Sequence, residues 1–392
     1  MLKRITERKF YMAGRGLSTI GALLFALIYS NDLGLINRSI LAMIMTVNSL
    51  SWILLTSGST LTLRKLGSGR DLRRYFPSFV SLFLLQLIMT IILCVILILI
   101  YSVLKVSLPL PLFWTSLVYI LCSGLHLFSI EVITALKKFK LVAQLEIFTI
   151  LLQFTLYFLF KFFTGSSIAI SLLLSFSCSY ITVFLASLVV VLKCFDGALH
   201  LENPKQFWKL TNGNHSLGPI LGIMDRSDRV LIGFFLATPL LGAYAVSNSL
   251  ITVVRFIPDA VSRILVARNY DSLRIPKLSK VSSIILSGTI ILLAIELTRS
   301  VTTIFLGAEW LVPYTVLIFM ALQELVRGWY QIVANRLIAR DFSAQVHKVS
   351  IVIPIVTLLT CALLIHRFGL TIVPITFSSG YFLGLWVLGK TK

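Results

Sequence analysis

Charged side chains are scarce in this sequence. They make up 13% of its 392 residues, whereas soluble domains carry about 25%. Acidic residues are the scarcer sign, with 15 aspartates and glutamates against 35 lysines and arginines. Apolar residues reach 57%, and the mean hydropathy is +0.95. These values exclude a soluble domain. In lipid the backbone must satisfy its own hydrogen bonds, so we predict an all-α polytopic membrane protein.

Long polar connectors and catalytic motifs are also missing. The sequence holds no glycine-rich nucleotide loop, no zinc-protease motif and no nucleophile elbow. A nucleotide-driven pump would therefore need separate subunits, and a membrane-embedded polymerase would lack its usual large outer loop. We predict a protein that is not an enzyme and that uses no cofactor or metal. The five cysteines lie in or beside apolar runs without metal-site spacing: Cys94, Cys122, Cys178, Cys194 and Cys361.

Apolar runs long enough to cross a bilayer recur along the chain, since about 20 helical residues cover about 30 Å of hydrocarbon. We predict twelve spans, near residues 12–30, 36–62, 77–104, 112–135, 143–163, 166–192, 216–236, 240–262, 281–305, 311–335, 349–365 and 370–389. The longest polar break predicts an N-terminal six-helix bundle over 1–195, a cytoplasmic linker over 196–215 and a C-terminal six-helix bundle over 216–392. Each block begins with two spans joined by a short turn that holds Gly34 or Gly242, which indicates a parallel repeat.

Basic residues cluster in the connectors between apolar runs. With the N-terminus in the cytoplasm, outer connectors hold only Arg38, Lys105, Lys161 and Arg367, while most of the 35 basic residues fall in inner segments. This bias follows the positive-inside rule and predicts that both termini are cytoplasmic. No basic stripe alternates with aromatic residues on a polar face. The net charge of +20 therefore indicates membrane topology rather than nucleic-acid binding.

Ionisable side chains within the spans are the candidate functional residues, because a charge in hydrocarbon costs from about 3 to more than 10 kcal/mol. The seventh span carries four of them: Asp225, Arg226, Asp228 and Arg229. Asp225 and Arg229 are four residues apart and share a helix face. Two interpretations stay open. The four charges neutralise one another and pair helices, or they line a water-filled cavity in which guanidinium groups bind phosphate.

Other intramembrane charges differ in whether a local partner exists. Three pairs of opposite charge could neutralise one another within a single helix. They are Arg255 with Asp259, Glu296 with Arg299, and Glu324 with Arg327. Arg15 and Glu131 have no opposite charge at helical spacing. Arg15 either extends to the headgroups or joins Arg255 and Arg327 in an inward-facing cationic vestibule. Glu131 either forms a salt bridge with Arg15 or a neighbour, or carries a proton.

These residues form two predicted groups. The arginines predicted to bind substrate are Arg15, Arg226, Arg229, Arg255 and Arg327. The carboxylates predicted to couple an ion or to pair helices are Glu131, Asp225, Asp228 and Glu324.

A series of short motifs runs through the second half. Asp225-Arg226 precedes Leu231–Leu236, and Leu241-Gly242-Ala243-Tyr244 follows. Further along are Ile257-Pro258-Asp259-Ala260 and Ile304-Phe305-Leu306-Gly307. This series resembles the Wzx-type O-antigen flippases of the multidrug/oligosaccharidyl-lipid/polysaccharide exporter (MOP) superfamily. In that family an Asp-Arg pair in the seventh helix precedes a Leu-Gly-x-Tyr turn.

The resemblance implies two six-helix bundles around a central cavity in a bacterial cytoplasmic membrane. It implies ion-coupled flipping of an undecaprenyl-pyrophosphate-linked oligosaccharide to the outer leaflet, for surface polysaccharide such as lipopolysaccharide. The implied partners are this lipid-linked substrate, membrane lipids and other polysaccharide assembly proteins. A cation antiporter of the multidrug and toxin extrusion (MATE) type stays open as an alternative, as does, more distantly, a polysaccharide polymerase.

Overall fold

The structure is a computed structural model that describes residues 2–66, 70–163, 165–195, 201–211, 217–255, 280–339 and 343–390. These ranges are helical apart from short connectors, and they contain no strand. The all-α prediction is confirmed.

Twelve α-helices occur in the described ranges, with three short 3₁₀ turns between the later ones. They are α1 (Leu2–Leu66), α2 (Arg70–Leu104), α3 (Leu110–Ala135), α4 (Phe139–Phe163), α5 (Ile168–Cys194), α6 (Pro204–Thr211), α7 (Leu217–Phe235), α8 (Thr238–Ile251), α9 (Lys280–Phe305), α10 (Tyr314–Ala339), α11 (Ser343–Phe368) and α12 (Ile372–Gly389). Proline lies in the first turn of α3 and of α8, where its missing N–H leaves no helical hydrogen bond unmade.

Helix α1 holds two of the predicted spans and is interrupted at one residue. Gly34 has φ 69° and ψ 170°, a conformation that is not helical and that side chains with a Cβ rarely adopt. The predicted short turn that holds Gly34 is therefore a single glycine between two helical segments.

Eight described helical segments are long and apolar enough to cross a membrane. Two of them, Ala13–Thr56 and Ile351–Gly389, hold 44 and 39 residues and are each long enough for two crossings. The remaining predicted spans correspond to α7, which carries the four charged residues, and to α8. Twelve spans are consistent with these helices.

The chain forms two compact units. The first unit comprises Met1–Phe25 and Val47–Gly222, and the second comprises Ala26–Thr46 and Ile223–Lys392. Helix α1 thus contributes residues to both units. The bundle boundaries near residues 195 and 216 stay a prediction.

An aromatic core holds the first unit together. The rings of Phe79 and Phe128 stack at 5.7 Å between centroids, which joins α2 to α3. Phe207 of the short helix α6 is fully buried and lies 5.2 Å from the Phe79 ring. Part of the predicted linker therefore belongs to this core. On the other face of α2, exposed Leu85 and Ile88 present the apolar surface that lipid requires.

Close backbone packing distinguishes the second unit. Gly242 lies inside α8 rather than in a turn, and it packs against α1. A Cβ at this position would lie 2.5 Å from the carbonyl oxygen of Leu35 and 2.8 Å from the Ser39 hydroxyl. Only glycine allows α8 and α1 to approach this closely.

Replacing Gly34 by alanine should destabilise the protein by about 1–3 kcal/mol, because alanine would be forced into a backbone region that is nearly exclusive to glycine. No atom lies within 4 Å of a Cβ there, so the cost comes from the backbone alone. The matched control is Gly288→Ala in α9, which is also uncrowded and should be neutral or stabilising by about 0.5–1 kcal/mol. Thermal unfolding in detergent measures both. Equal midpoints for the two variants would contradict the assignment of Gly34.

Candidate functional site

A buried carboxylate on α7 organises the polar centre of the second unit. Asp228 is 2% exposed. One of its oxygens, Oδ2, accepts a hydrogen bond from the Tyr244 hydroxyl of α8 at 2.8 Å. The other, Oδ1, accepts from the backbone N–H of Arg229 at 2.8 Å. Both oxygens therefore have donors within the protein, as burial of a carboxylate requires.

Arg38 of α1 lies near this centre. It is 3% exposed, and its Nε donates to the Ser30 hydroxyl at 3.0 Å. Its guanidinium carbon lies 5.1 Å from the centre of the Tyr29 ring, at cation–π distance. The sequence had placed Arg38 in an outer connector, but the residue is buried inside a helix. No carboxylate of the described residues forms a salt bridge with it.

Arg229 is the second cation of this centre, and it lies close enough to Arg38 for the two positive charges to repel one another. Its guanidinium donates to the side-chain oxygen of Asn248 when that amide is oriented to satisfy both groups. Among the described side chains, the two guanidinium groups therefore hydrogen-bond to a serine hydroxyl and an asparagine amide, which are both neutral. We call Arg38, Arg229, Asp228, Tyr244 and Asn248 the arginine centre.

The other predicted residues of the second unit have different surroundings. Glu324 and Arg327 form the predicted pair within α10, with Nη1 and Oε1 3.0 Å apart and both side chains buried. Glu324 also interacts electrostatically with Tyr244. Arg226 is half-buried on α7. The side chains of Asp225 and Arg255 lie outside the described residues.

In the first unit, both charges that lacked a helical partner pair with another helix. Arg15 of α1 bonds Glu146 of α4. Arg64 of α1 donates two hydrogen bonds to Glu131 of α3, from Nε to Oε2 at 2.6 Å and from Nη2 to Oε1 at 2.5 Å. This is the bidentate geometry of a strong guanidinium–carboxylate pair. Of the two interpretations of Glu131, the structure shows a salt bridge with a neighbour, Arg64.

A cavity of about 350 Å³ lies beside this pair, between α1, α3 and α5. Its polar lining includes Asn48 and Ser123, which hydrogen-bond to one another at 2.9 Å. Its aromatic lining comprises Trp52, Tyr119, His126 and Tyr180. Within the described residues, no group of three or more His, Cys, Asp or Glu side chains could hold a metal ion.

Solved structures resemble this chain over almost its whole length. The lipid II flippase MurJ, in an inward closed conformation, matches with a TM-score of 0.62 at 16% identity, covering 98% of this chain and 86% of MurJ. A MOP superfamily transporter from Pyrococcus furiosus matches with 0.64 at 13% identity, covering 99% and 96%. A eukaryotic MATE transporter matches with 0.63 at 13% identity, covering 99% and 95%.

The chain shares the fold of these structures. It is a multi-pass membrane protein, as its apolar helices and these neighbours together indicate. The sequence matches no protein-family model, and no curated protein matches it. At these identities the likeness establishes the fold alone.

Several residues that pair with the predicted site residues were not predicted from the sequence. Arg38, Arg64 and Glu146 are charged but were not singled out, and Tyr244 and Asn248 are polar residues in apolar runs. One signal was available for Arg38, which stands in the apolar stretch that follows Gly34. The pairing of Arg64 with Glu131 joins residues 67 positions apart, and helical periodicity carries no information on such contacts.

Replacing Tyr244 by phenylalanine should destabilise the protein by about 1–3 kcal/mol, because buried Asp228 would lose a donor. Tyr314→Phe is the matched control. The Tyr314 hydroxyl also donates to a carboxylate, Glu296, at 2.7 Å, but this tyrosine is 44% exposed. The control should therefore change stability by less than about 0.5 kcal/mol. Unfolding in a denaturing detergent series compares them, and a control that costs as much as Tyr244→Phe would refute the buried role.

Glu131→Gln should cost about 3–5 kcal/mol, because it leaves the Arg64 guanidinium largely buried without its counter-charge. The double variant Arg64→Met with Glu131→Leu should cost less than Arg64→Met alone or Glu131→Leu alone, since it removes both charges at similar volume. The same unfolding measurement applies to all four variants. If the two single costs simply add in the double variant, the residues do not interact.

Proposed function

We propose that this chain is a flippase that moves an undecaprenyl-pyrophosphate-linked oligosaccharide repeat unit from the cytoplasmic to the outer leaflet by alternating access. The observation that supports the proposal is the arginine centre, in which Arg38 and Arg229 repel one another and, among the described side chains, their guanidinium groups hydrogen-bond to the neutral groups of Ser30 and Asn248. A pyrophosphate would supply the missing negative charge.

A buried cation is costly without a counter-charge. Moving a guanidinium group out of water costs several kcal/mol of solvation free energy. The attraction of a nearby anion can offset that cost. Asp228 gives partial compensation, but both of its oxygens are engaged by other donors. Guanidinium groups bind phosphate oxygens bidentately, and Arg38 and Arg229 are near enough to one another to interact electrostatically. Arg15, Arg226, Arg255 and Arg327 stay predicted as further substrate contacts.

The carboxylates argue against the MATE-type alternative, although the fold similarity includes both MATE transporters and a lipid II flippase. A cationic drug would need an accessible negative charge. Asp228, Glu131 and Glu324 are instead held by Tyr244, Arg64 and Arg327. The flippase therefore accounts better for the charges of the described residues. The proposed ion coupling would act through Glu131, Asp225, Asp228 or Glu324.

The remaining parts of the proposal follow from the same substrate. An undecaprenyl-linked repeat unit places the protein in a bacterial cytoplasmic membrane, in surface polysaccharide biosynthesis and without catalysis of its own. The basic connectors favour cytoplasmic termini. The polyprenyl tail would remain in the bilayer while the sugar and pyrophosphate cross inside the protein.

The test is complementation of a deletion strain, with an assay of the leaflet that the lipid-linked sugar occupies. Without the protein, the sugar should accumulate on the cytoplasmic side. Arg38→Gln and Arg229→Gln should each slow flipping on the order of 10- to 100-fold, the value of a charge-assisted contact. Arg38→Lys should slow it less, because it keeps the charge but loses the fork.

Arg299→Gln is the matched control, since Arg299 lies in the same unit with its guanidinium 3.9 Å above the Tyr314 ring, outside the arginine centre. It should flip at the wild-type rate. Normal flipping by Arg38→Gln and Arg229→Gln at equal expression would remove both residues from the site. Normal export in the deletion strain, together with lost cation efflux, would favour the MATE-type alternative.

A further inference from the structure

The cavity of the first unit has a chemistry that the arginine centre does not share. Its described lining includes no lysine or arginine. Its one carboxylate, Glu131, has both oxygens held by Arg64. Neither an anion nor a cation would find an unpaired counter-charge there. The cavity therefore suits a ligand without net charge.

One buried donor in the lining has no acceptor. Trp52 is 4% exposed, and its indole Nε1 makes no hydrogen bond within the described part of the chain. Its ring is fixed by stacking on Phe83 at 5.6 Å and 13°. Buried N–H groups in native proteins nearly always have a partner. A ligand with hydroxyl or carbonyl oxygens would provide one.

The rest of the lining matches the surface of a sugar ring. Tyr180 stacks on His126 at 4.6 Å and lies 6.2 Å from Tyr119, which makes an aromatic strip across α3 and α5. Such rings offer apolar faces with polar edges, and a pyranose has C–H faces edged by hydroxyls. Asn48 and Ser123 add a donor and an acceptor on facing helices.

The volume limits how much of a substrate can enter. Small-molecule sites range over roughly 300–1,000 Å³, and this cavity, at about 350 Å³, is at the lower end. It can hold one or two sugar rings but not a whole repeat unit or a polyprenyl chain.

We infer that the cavity between α1, α3 and α5 is a saccharide site that binds one or two uncharged sugar residues of the transported lipid. This inference rests on the proposed function, because it takes the sugar to arrive on that lipid. It divides recognition into two sites. The arginine centre takes the anionic linkage, and the cavity selects the sugar.

The test measures binding to the full chain in lipid nanodiscs. The two probes are undecaprenyl pyrophosphate and the lipid-linked oligosaccharide extracted from the host strain. Wild type should bind the second probe on the order of 30- to 100-fold more tightly, as two or three additional hydrogen bonds would give. We call this ratio the sugar increment.

Trp52→Phe removes the indole N–H and keeps an aromatic ring, smaller than indole, beside Phe83. It should lower the sugar increment about 5-fold and leave the affinity for undecaprenyl pyrophosphate unchanged. The smaller ring also leaves space in the core, so the thermal stability of the free protein should fall as well. A purely structural role for Trp52 would lower stability and leave the increment intact.

Ser123→Phe fills the cavity and should abolish the sugar increment. Its matched control is Val118→Phe, which adds similar bulk to a 47% exposed position of the same helix and should preserve the increment. If Ser123→Phe does not fold, Trp52→Phe decides alone.

The failures are distinguishable. Wild type that binds both probes equally, or variants that keep the full increment, would overturn the saccharide site and leave the proposed function in place. Wild type that binds neither probe would overturn the proposed function and this inference together. Ethidium that binds to wild type, and that Ser123→Phe excludes, would overturn the saccharide site in favour of planar cationic drugs.

Discussion

An ionised side chain within a membrane-spanning helix needs a partner, and this requirement shapes both units. Without one, the charge costs from about 3 to more than 10 kcal/mol. The first unit meets the requirement with opposite charges on different helices, as Arg15 does with Glu146 and Arg64 with Glu131. The second unit meets it differently around Arg38 and Arg229, where a hydroxyl, an aromatic ring and an amide stabilise the cations.

The two solutions have different consequences for a solute. Paired charges produce little electric field beyond their immediate neighbours. The cavity beside Arg64 and Glu131 therefore has little net electrostatic potential, and aromatic rings and hydroxyl groups line it. Cations held by neutral groups keep most of their field, because a dipole offsets a charge only in part. Under the proposed function, charge selection and shape selection therefore reside in separate units and can vary independently.

The sequence predicted the helical architecture well, because hydrophobic periodicity and run length are local properties. The twelve spans and the glycine between the first two follow from such signals, and so does the Glu324–Arg327 pair, three residues apart on one helix. The polar contacts across helices did not follow. Arg38 was predicted to lie in an outer connector, whereas packing buries it beside Ser30 and Tyr29, and Glu131 had no predicted partner because Arg64 lies 67 residues away. Partners brought together by tertiary packing are not visible to a single sequence.

The tight contact between α8 and α1 gives one glycine an influence on electrostatics that its chemistry alone would not suggest. Gly242 lets α8 lie against the backbone of Leu35, and these two helices carry Asn248 and Arg38. Coulomb energy varies inversely with separation and is least screened where water is scarce. A single methyl group at residue 242 would move α8 away from α1. The electric field in the arginine centre would change although every charged residue is retained. In an evolving lineage, solute preference could thus drift through a position that bears no side chain.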